Sequence, residues 1–500
     1  MYTNMDEKHR PQLHFSPKEN WMNDPNGLVF FNGEYHLFFQ HHPFSATWGP
    51  MHWGHAVSKD LIHWEQLPIA LHPDHNGAIF SGSIVVDWND TSGFFGGKPG
   101  LVAIYTSADE YPGTDRPRQR QSLAYSSDSG RTWTVYGGNP VLTDENIIDY
   151  RDPKVFWHSE TERWVMVLAT GQTITLYTSP DLKEWQFASE FGSGQGCHDG
   201  VWECPDLFPL PVGGNDDAIK WVMLVSIGDN PQFDEGSRTQ YFIGSFDGKA
   251  FVNEMAEGET RWLDYGRDNY AGVSWSDIPA EDGRRIYIGW MSNWRYANIV
   301  PTEGWRSAMT LPRELKLIAD GESIQLIQQP VEELADLHLA KTAAENIHLG
   351  ESQEESFDLP SALAEIQISF EGGGTEAFGI AFENSLDEQL AIHCEPDKGE
   401  LEVDRTHAGD NSFSDSFAAI QKARLEWMEE SVHLQIILDA SSVEVFANGG
   451  RAAITSLVFP GEPYKKVSIF SKKGSVKATI FEITELSSIW TACLTEGGQK

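Results

Sequence analysis

Basic residues are scarce in this chain: 36 Lys and Arg stand against 74 Asp and Glu, a formal net charge of −38. A surface of that sign repels phosphate backbones and anionic headgroups, which argues against nucleic acid and membranes as partners. Cysteine is scarcer still. Cys197, Cys204, Cys394 and Cys493 are too few and too widely spaced for a disulfide framework or a paired zinc site, so free thiols are expected. Long apolar runs are missing as well; residues 164–169 and 221–225 have the length of strands, not of membrane spans. Residues 1–12 are polar and charged, without the apolar core of a signal peptide, so a cytoplasmic location is expected, with secretion the alternative. No long stretch carries helical periodicity, which leaves an all-β class.

What is present describes a folded chain. Hydrophobic residues make up 40% and charged residues 22%, a globular balance. The 500 residues exceed one ordinary core, so two or more domains are expected. Eighteen Trp offer flat faces that suit sugar rings, although such faces fill cores equally well.

A Ser-x-Asp turn followed by an aromatic residue occurs four times. The copies are Ser58-Lys59-Asp60 with Trp64, Ser126-Ser127-Asp128 with Trp133, Ser179-Pro180-Asp181 with Trp185, and Ser245-Phe246-Asp247 with Phe251. Each turn closes a strand-like run (54–57, 123–125, 176–178, 242–244) that follows a more apolar one (35–39, 101–105, 164–168, 221–225). A fifth copy starts at 285–290 and continues through 307–311 and 323–327. Four-strand units returning about every 50 to 70 residues are the signature of propeller blades. Residues 1–327 are therefore expected to form a five-bladed β-propeller.

Residues 328–346 change to an acidic connector, with room for a short helix. Residues 347–490 return to short alternating runs, 424–428 among them, with turns such as Asn448-Gly449-Gly450. That pattern predicts a C-terminal antiparallel β-sandwich. It carries no convergent cluster of titratable residues and reads as an accessory module.

The innermost strands of the five units begin near Asp24, Ser81, Arg151, Glu203 and Tyr270. Equivalent strands deliver equivalent positions to one end of one channel. Asp24-Pro25-Asn26-Gly27, Arg151-Asp152-Pro153 and Glu203-Cys204-Pro205-Asp206 then bring Asp24, Asp152 and Glu203 around a single pocket. Three clustered carboxylates repel one another, so they suit a metal or acid–base work. His36, His41, His42, His52 and His55 could complete a metal site, but their alternation fits strand faces better, and no metal or other cofactor is expected. Glycoside hydrolysis fits best: one carboxyl attacks or activates water and a second protonates the leaving oxygen. Glu203, between Trp202 and Pro205, is read as the carboxyl with a raised pKa and hence the general acid; Asp206 is its rival, but strand alternation and the following Leu207-Phe208 make it a turn or supporting group. Arg151, if close, should keep Asp152 ionised. Spacing does not choose between retention and inversion, which turns on a carboxyl separation of about 5–5.5 Å or 6.5–9.5 Å.

The ordered motifs Trp21-Met22-Asn23-Asp24-Pro25-Asn26-Gly27, Phe80-Ser81-Gly82-Ser83, Arg151-Asp152-Pro153 and Glu203-Cys204-Pro205-Asp206-Leu207 resemble those of glycoside hydrolase family 32, the invertases, levanases and inulinases. The segment Val443-Glu444-Val445-Phe446-Ala447-Asn448-Gly449 resembles the C-terminal domain of that family. The resemblance implies a retaining, exo-acting β-fructofuranosidase that works through a covalent fructosyl-enzyme. It implies Asp24 as nucleophile, Glu203 as acid/base and Asp152 as transition-state stabiliser. Substrate contacts are implied for Trp21, Met22, Asn23, Gln40, Trp48, Phe80, Ser81, Arg151, Trp290 and Trp294. Segments 87–94 and 293–297 look most like bacterial levanases and exo-inulinases, and no basic cluster suits a sugar phosphate. Levan, inulin, fructo-oligosaccharides and sucrose are thus the implied substrates. An inverting arabinan or xylan hydrolase, a carbohydrate-binding propeller without turnover, fructose transfer and a homo-oligomer stay open.

Overall fold

The computed structural model describes residues 5–256, 258–321, 323–372, 377–425 and 431–490. Cys493 and the end of the 424–428 run lie outside them. The described chain is nearly all β; its helical pieces are the 3-10 turns Glu332–Leu337 and Pro396–Lys398.

The first sheet holds the antiparallel strands Asn20–Phe31, Glu34–His42, His52–Ser58 and Trp64–Leu71. A second begins at Ala78–Asp87 and a third at Tyr150–His158. The groups that begin at Trp202–Val212 and Tyr270–Ser274 share one ten-stranded sheet, joined where Val212 pairs with Leu317. The leading strand of each group lies against the next. Asn20–Phe31 meets Ala78–Asp87, which meets Tyr150–His158, then Trp202–Val212, then Tyr270–Ser274, which returns to Asn20–Phe31. These strands close a ring.

The recurring turn has a structural cause. Asp60 accepts the Ile62 and His63 N–H groups at 3.0 and 2.8 Å, and the Trp64 indole donates to Leu61 O at 2.9 Å. Asp181 and Trp185 repeat this with Lys183, Glu184 and Leu182. Asp128 accepts from Thr132 while Trp133 reaches Gly130 O at 3.1 Å. Asp247 keeps only the backbone part, since the Phe251 side chain has no N–H to offer. An Asx turn and an indole staple thus end the third strand of a unit and aim the fourth.

Beyond Pro330, two six-stranded sheets stack around one core that includes Ile366, Phe382, Ile392, Val445 and Ile469. The connector is shorter than 328–346. Residues 328–330 finish the Ser323–Pro330 strand, and His338–Leu349 already pairs with Val476–Leu486. An edge strand with both faces mostly in solvent has the composition of a linker, which is why the sequence conceals it.

Buried ion pairs lock the two parts together. Arg313 reaches Asp264 and Glu444, each at 2.8 Å, and Arg405 reaches Asp268 at 2.5 Å. His14 bridges Asp439 at 2.7 Å and Glu444 at 3.1 Å. Removing one partner of a buried pair strands the other charge. Arg313→Met is expected to cost about 3–5 kcal/mol of stability. The measurement is the denaturant midpoint at constant m-value; a loss under about 1 kcal/mol would show that the pair carries little.

Candidate active site

Every leading strand breaks its ladder at the same place. The register skips between Met22 and Pro25, Ile79 and Gly82, Arg151 and Lys154, Glu203 and Asp206, and Tyr270 and Val273. Pro25, Pro153 and Pro205 sit in or at the edge of three of these bulges, where a missing N–H costs no ladder bond. Asp152, Cys204 and Ala271 adopt positive φ there, at 65°, 46° and 53°. Bulges re-aim side chains, and these turn a run of side chains toward one end of the ring.

The result is a cavity of about 680 Å³ that holds Asp24, Asp152 and Glu203. Asn23, Gln40, Phe80, Ser81 and Arg151 line it as well, with Trp48 and Trp294. Trp48 is half exposed and meets Phe80 edge-on at 6.3 Å. Three expected contacts do not reach the cavity. Trp21, Met22 and Trp290 are fully buried. Trp21 packs on Trp290 and Trp294, and its indole donates to Asn23 Oδ1 at 2.7 Å. Trp21 and Trp290 back the lining residues Phe80 and Trp294, whereas Met22 lies in another core with Leu28 and Phe39; strand neighbours of an active-site residue need not share its face.

Asp24 is anchored on both oxygens. Oδ2 accepts the Ser81 hydroxyl at 2.7 Å and Oδ1 accepts the Asn23 amide at 3.0 Å. Glu203 receives Arg151 Nη2 at 2.7 Å on Oε1 and the Tyr270 hydroxyl on Oε2. Arg151 is itself held by Asp149 at 2.5 Å. Asp152 accepts the Cys204 N–H at 3.0 Å. The Cys204 thiol stands 3.5 Å from both Asp24 Oδ2 and Asp152 Oδ2, between the two carboxyls. Tyr270 and Cys204 are the partners that sequence reasoning missed. Tyr270 was legible as the fifth strand start, but nothing local showed that it faces Glu203.

The electrostatics differ from the sequence expectation. Arg151 pairs with Glu203 and lies 3.9 Å from Asp152, so the guanidinium serves Glu203 first. Burial raises Asp24, helped by the Glu203 charge and opposed by the Ser81 and Asn23 bonds. Burial likewise pushes Asp152 up to about 7, against the pull of Arg151 and with the charges of Glu203 and Asp24 adding to it. Asp206 is not a rival for Glu203. It is buried along the channel, takes the Ser274 N–H and hydroxyl at 2.7 Å each, and pairs with Lys154 at 3.4 Å. The histidines belong to the sheet: His36 and His55 share a hydrogen bond of 3.0 Å, and His41 bonds Trp21 O at 2.7 Å.

The family model for the glycosyl hydrolases family 32 N-terminal domain matches residues 14–330, the part that carries this cavity. The family 32 C-terminal model matches residues 333–486. The chain belongs to glycosyl hydrolase family 32. It is 49% identical to a levanase of Bacillus subtilis (strain 168) over 97% of this chain and 71% of that protein. It is 39% identical to a levanase of Bacillus sp. (strain L7) over 97% of this chain, but it spans only 53% of that protein. The crystal structure of the exo-inulinase from Aspergillus awamori superposes with a TM-score of 0.89 at 36% identity, covering 98% of this chain and 100% of the other.

For this family 32 hydrolase the raised carboxyls lead to an expected pH dependence. A carboxyl that must be ionised loses activity as pH falls through its pKa, and kcat/KM reports the free enzyme. Asp24 and Asp152 are both raised, so the acid limb of kcat/KM is expected well above pH 4, between the ordinary carboxylate range and about 7. An acid limb centred near pH 4 would contradict the arrangement.

Proposed function

We propose that the chain is a retaining, exo-acting β-fructofuranosidase that removes terminal β-D-fructofuranosyl units from levan, inulin, fructo-oligosaccharides and sucrose. Asp24 attacks the anomeric carbon while Glu203 protonates the leaving oxygen. Glu203 then takes a proton from a water that attacks the anomeric carbon of the fructosyl-enzyme; the bond to Asp24 breaks and fructose leaves with its configuration retained. Asp152 accepts fructose hydroxyls and favours the positive charge that develops on the ring. The observation that carries this reading is the single cavity in which Asp24, fixed by Ser81 and Asn23, shares space with Glu203 and Asp152.

The relatives' names, levanase and exo-inulinase, support the fructan class. Attack on chain ends is supported by the name of the structural relative, an exo-inulinase. Arg151, the cation of the cavity lining, is already paired with Asp149 and Glu203, which favours uncharged sugars over sugar phosphates. We read the ring of leading strands as a five-bladed propeller, with the shared ten-stranded sheet supplying two blades, and the two stacked sheets as the sandwich.

The test is a chromatographic time course on sucrose, inulin and levan, with proton NMR of the first product. Free β-fructofuranose from the earliest points supports the reading. A ladder of oligomers, or initial release of the α-anomer, counts against it.

A further inference from the structure

The strands that start in the catalytic cavity end in another one. From Asp152 to Trp157 the chain advances about 16 Å toward the opposite end of the ring. There the ends of Ala78–Asp87 and Tyr150–His158 and the middle of Trp202–Val212 enclose a cavity of about 480 Å³, a volume that accommodates a small ligand. Lys154 and Asp206, paired at 3.4 Å, line this cavity, and no described residue lines both it and the cavity of the carboxyls.

Its chemistry is distinctive. Trp88, Trp157 and Trp221 line it, and Trp88 is 53% exposed although one edge meets the buried Phe31 at 5.8 Å. Trp88 is held in place, since its N–H donates to Asp277 Oδ1 at 2.8 Å. Lys154 and Arg285 stand in the wall among the carboxylates Asp87, Glu160, Asp206 and Asp277; Lys154 pairs with Asp206 at 3.4 Å, and Arg285 lies near Asp277 and Asp206 with its own N–H on Trp275 O at 3.1 Å. That acidic excess disfavours anions, while the paired groups still offer donors and acceptors. Aromatic faces beside such groups suit an uncharged polyhydroxyl ligand, which presents C–H faces and hydroxyls together.

We propose that this distal mouth is a second sugar-binding site that holds an uncharged glycan segment away from the catalytic pocket. That the glycan is a fructan rests on the function proposed above, which sucrose hydrolysis by the unaltered enzyme tests separately. A chain of fructofuranosyl units gripped here keeps the enzyme on its polymer between cleavages.

Isothermal titration of the full-length Asp24→Asn protein with short levan and inulin oligosaccharides tests the site, because no turnover disturbs binding. Trp88→Ala removes an aromatic wall, and Pro209→Glu places a charge at the exposed Pro209 of the cavity lining without removing a hydrogen bond. In the Asp24→Asn background, a binding event weakened at least about tenfold by either substitution is expected, with a second event unchanged. Isotherms that are the same in all three proteins overturn the proposal, whatever number of sites they report. Unchanged sucrose turnover by Trp88→Ala and by Pro209→Glu, each without the Asp24 substitution, verifies that the altered chains fold.

Discussion

Asp24→Asn is expected to lower kcat for sucrose by about 10⁴-fold or more, roughly 5 kcal/mol or more of transition-state stabilisation. The loss has two sources. An amide is a far weaker nucleophile than a carboxylate, and it also upsets the local bonding. Ser81 and Asn23 each donate to one oxygen of Asp24, at 2.7 and 3.0 Å, so an Asn amide must set its NH₂ against a donor. Initial rates at saturating sucrose measure the effect, with the thermal midpoint as the control for folding. Activity within tenfold of the unaltered enzyme would remove Asp24 from the nucleophile's role.

Glu203→Ala carries the second large effect, and its size depends on the leaving group. On sucrose, where the departing oxygen needs a proton, a loss of about 10²–10⁴-fold is expected. On an aryl β-fructofuranoside the leaving group departs unaided, so the first step is largely spared and the second, which needs a base, becomes slow. A burst of aryl alcohol equal to the enzyme concentration should follow. Azide, small enough for the space left by the side chain, should restore turnover and yield the fructosyl azide of retained configuration. Arg151 keeps its place without Glu203, because Asp149 holds it at 2.5 Å. Equal losses on both substrates, with no burst, would assign proton transfer elsewhere. Asp24→Asn should give no burst with either substrate, which separates the two roles.

Behind both predictions stand bulges that the sequence marks only in part. Pro25, Pro153 and Pro205 were visible as turn residues at strand starts, and that was enough to group Asp24, Asp152 and Glu203. The skipped register and the positive φ of Asp152 and Cys204 were not visible, because a bulge is a relation between two strands. Trp21, Met22 and Trp290 show the converse limit. They sit in or near the motifs but face the core, since adjacency along a strand does not make residues share a face.

The sequence by itself determined the class of the fold and the chemistry. Alternating strands, the Ser-x-Asp turn with its aromatic, and carboxylates at strand starts are local signals. Local signals survive in a string of letters because a turn's hydrogen bonds are made within a few residues. Tertiary structure alone decided how the charges are shared. Arg151 is next to Asp152 in sequence, yet it pairs with Glu203, 52 residues on, at 2.7 Å. Burial then raises Asp152, the carboxyl that the sequence expected Arg151 to keep ionised. Coulomb energies and desolvation depend on distance and enclosure in space. Those quantities exist only once the leading strands have closed their ring.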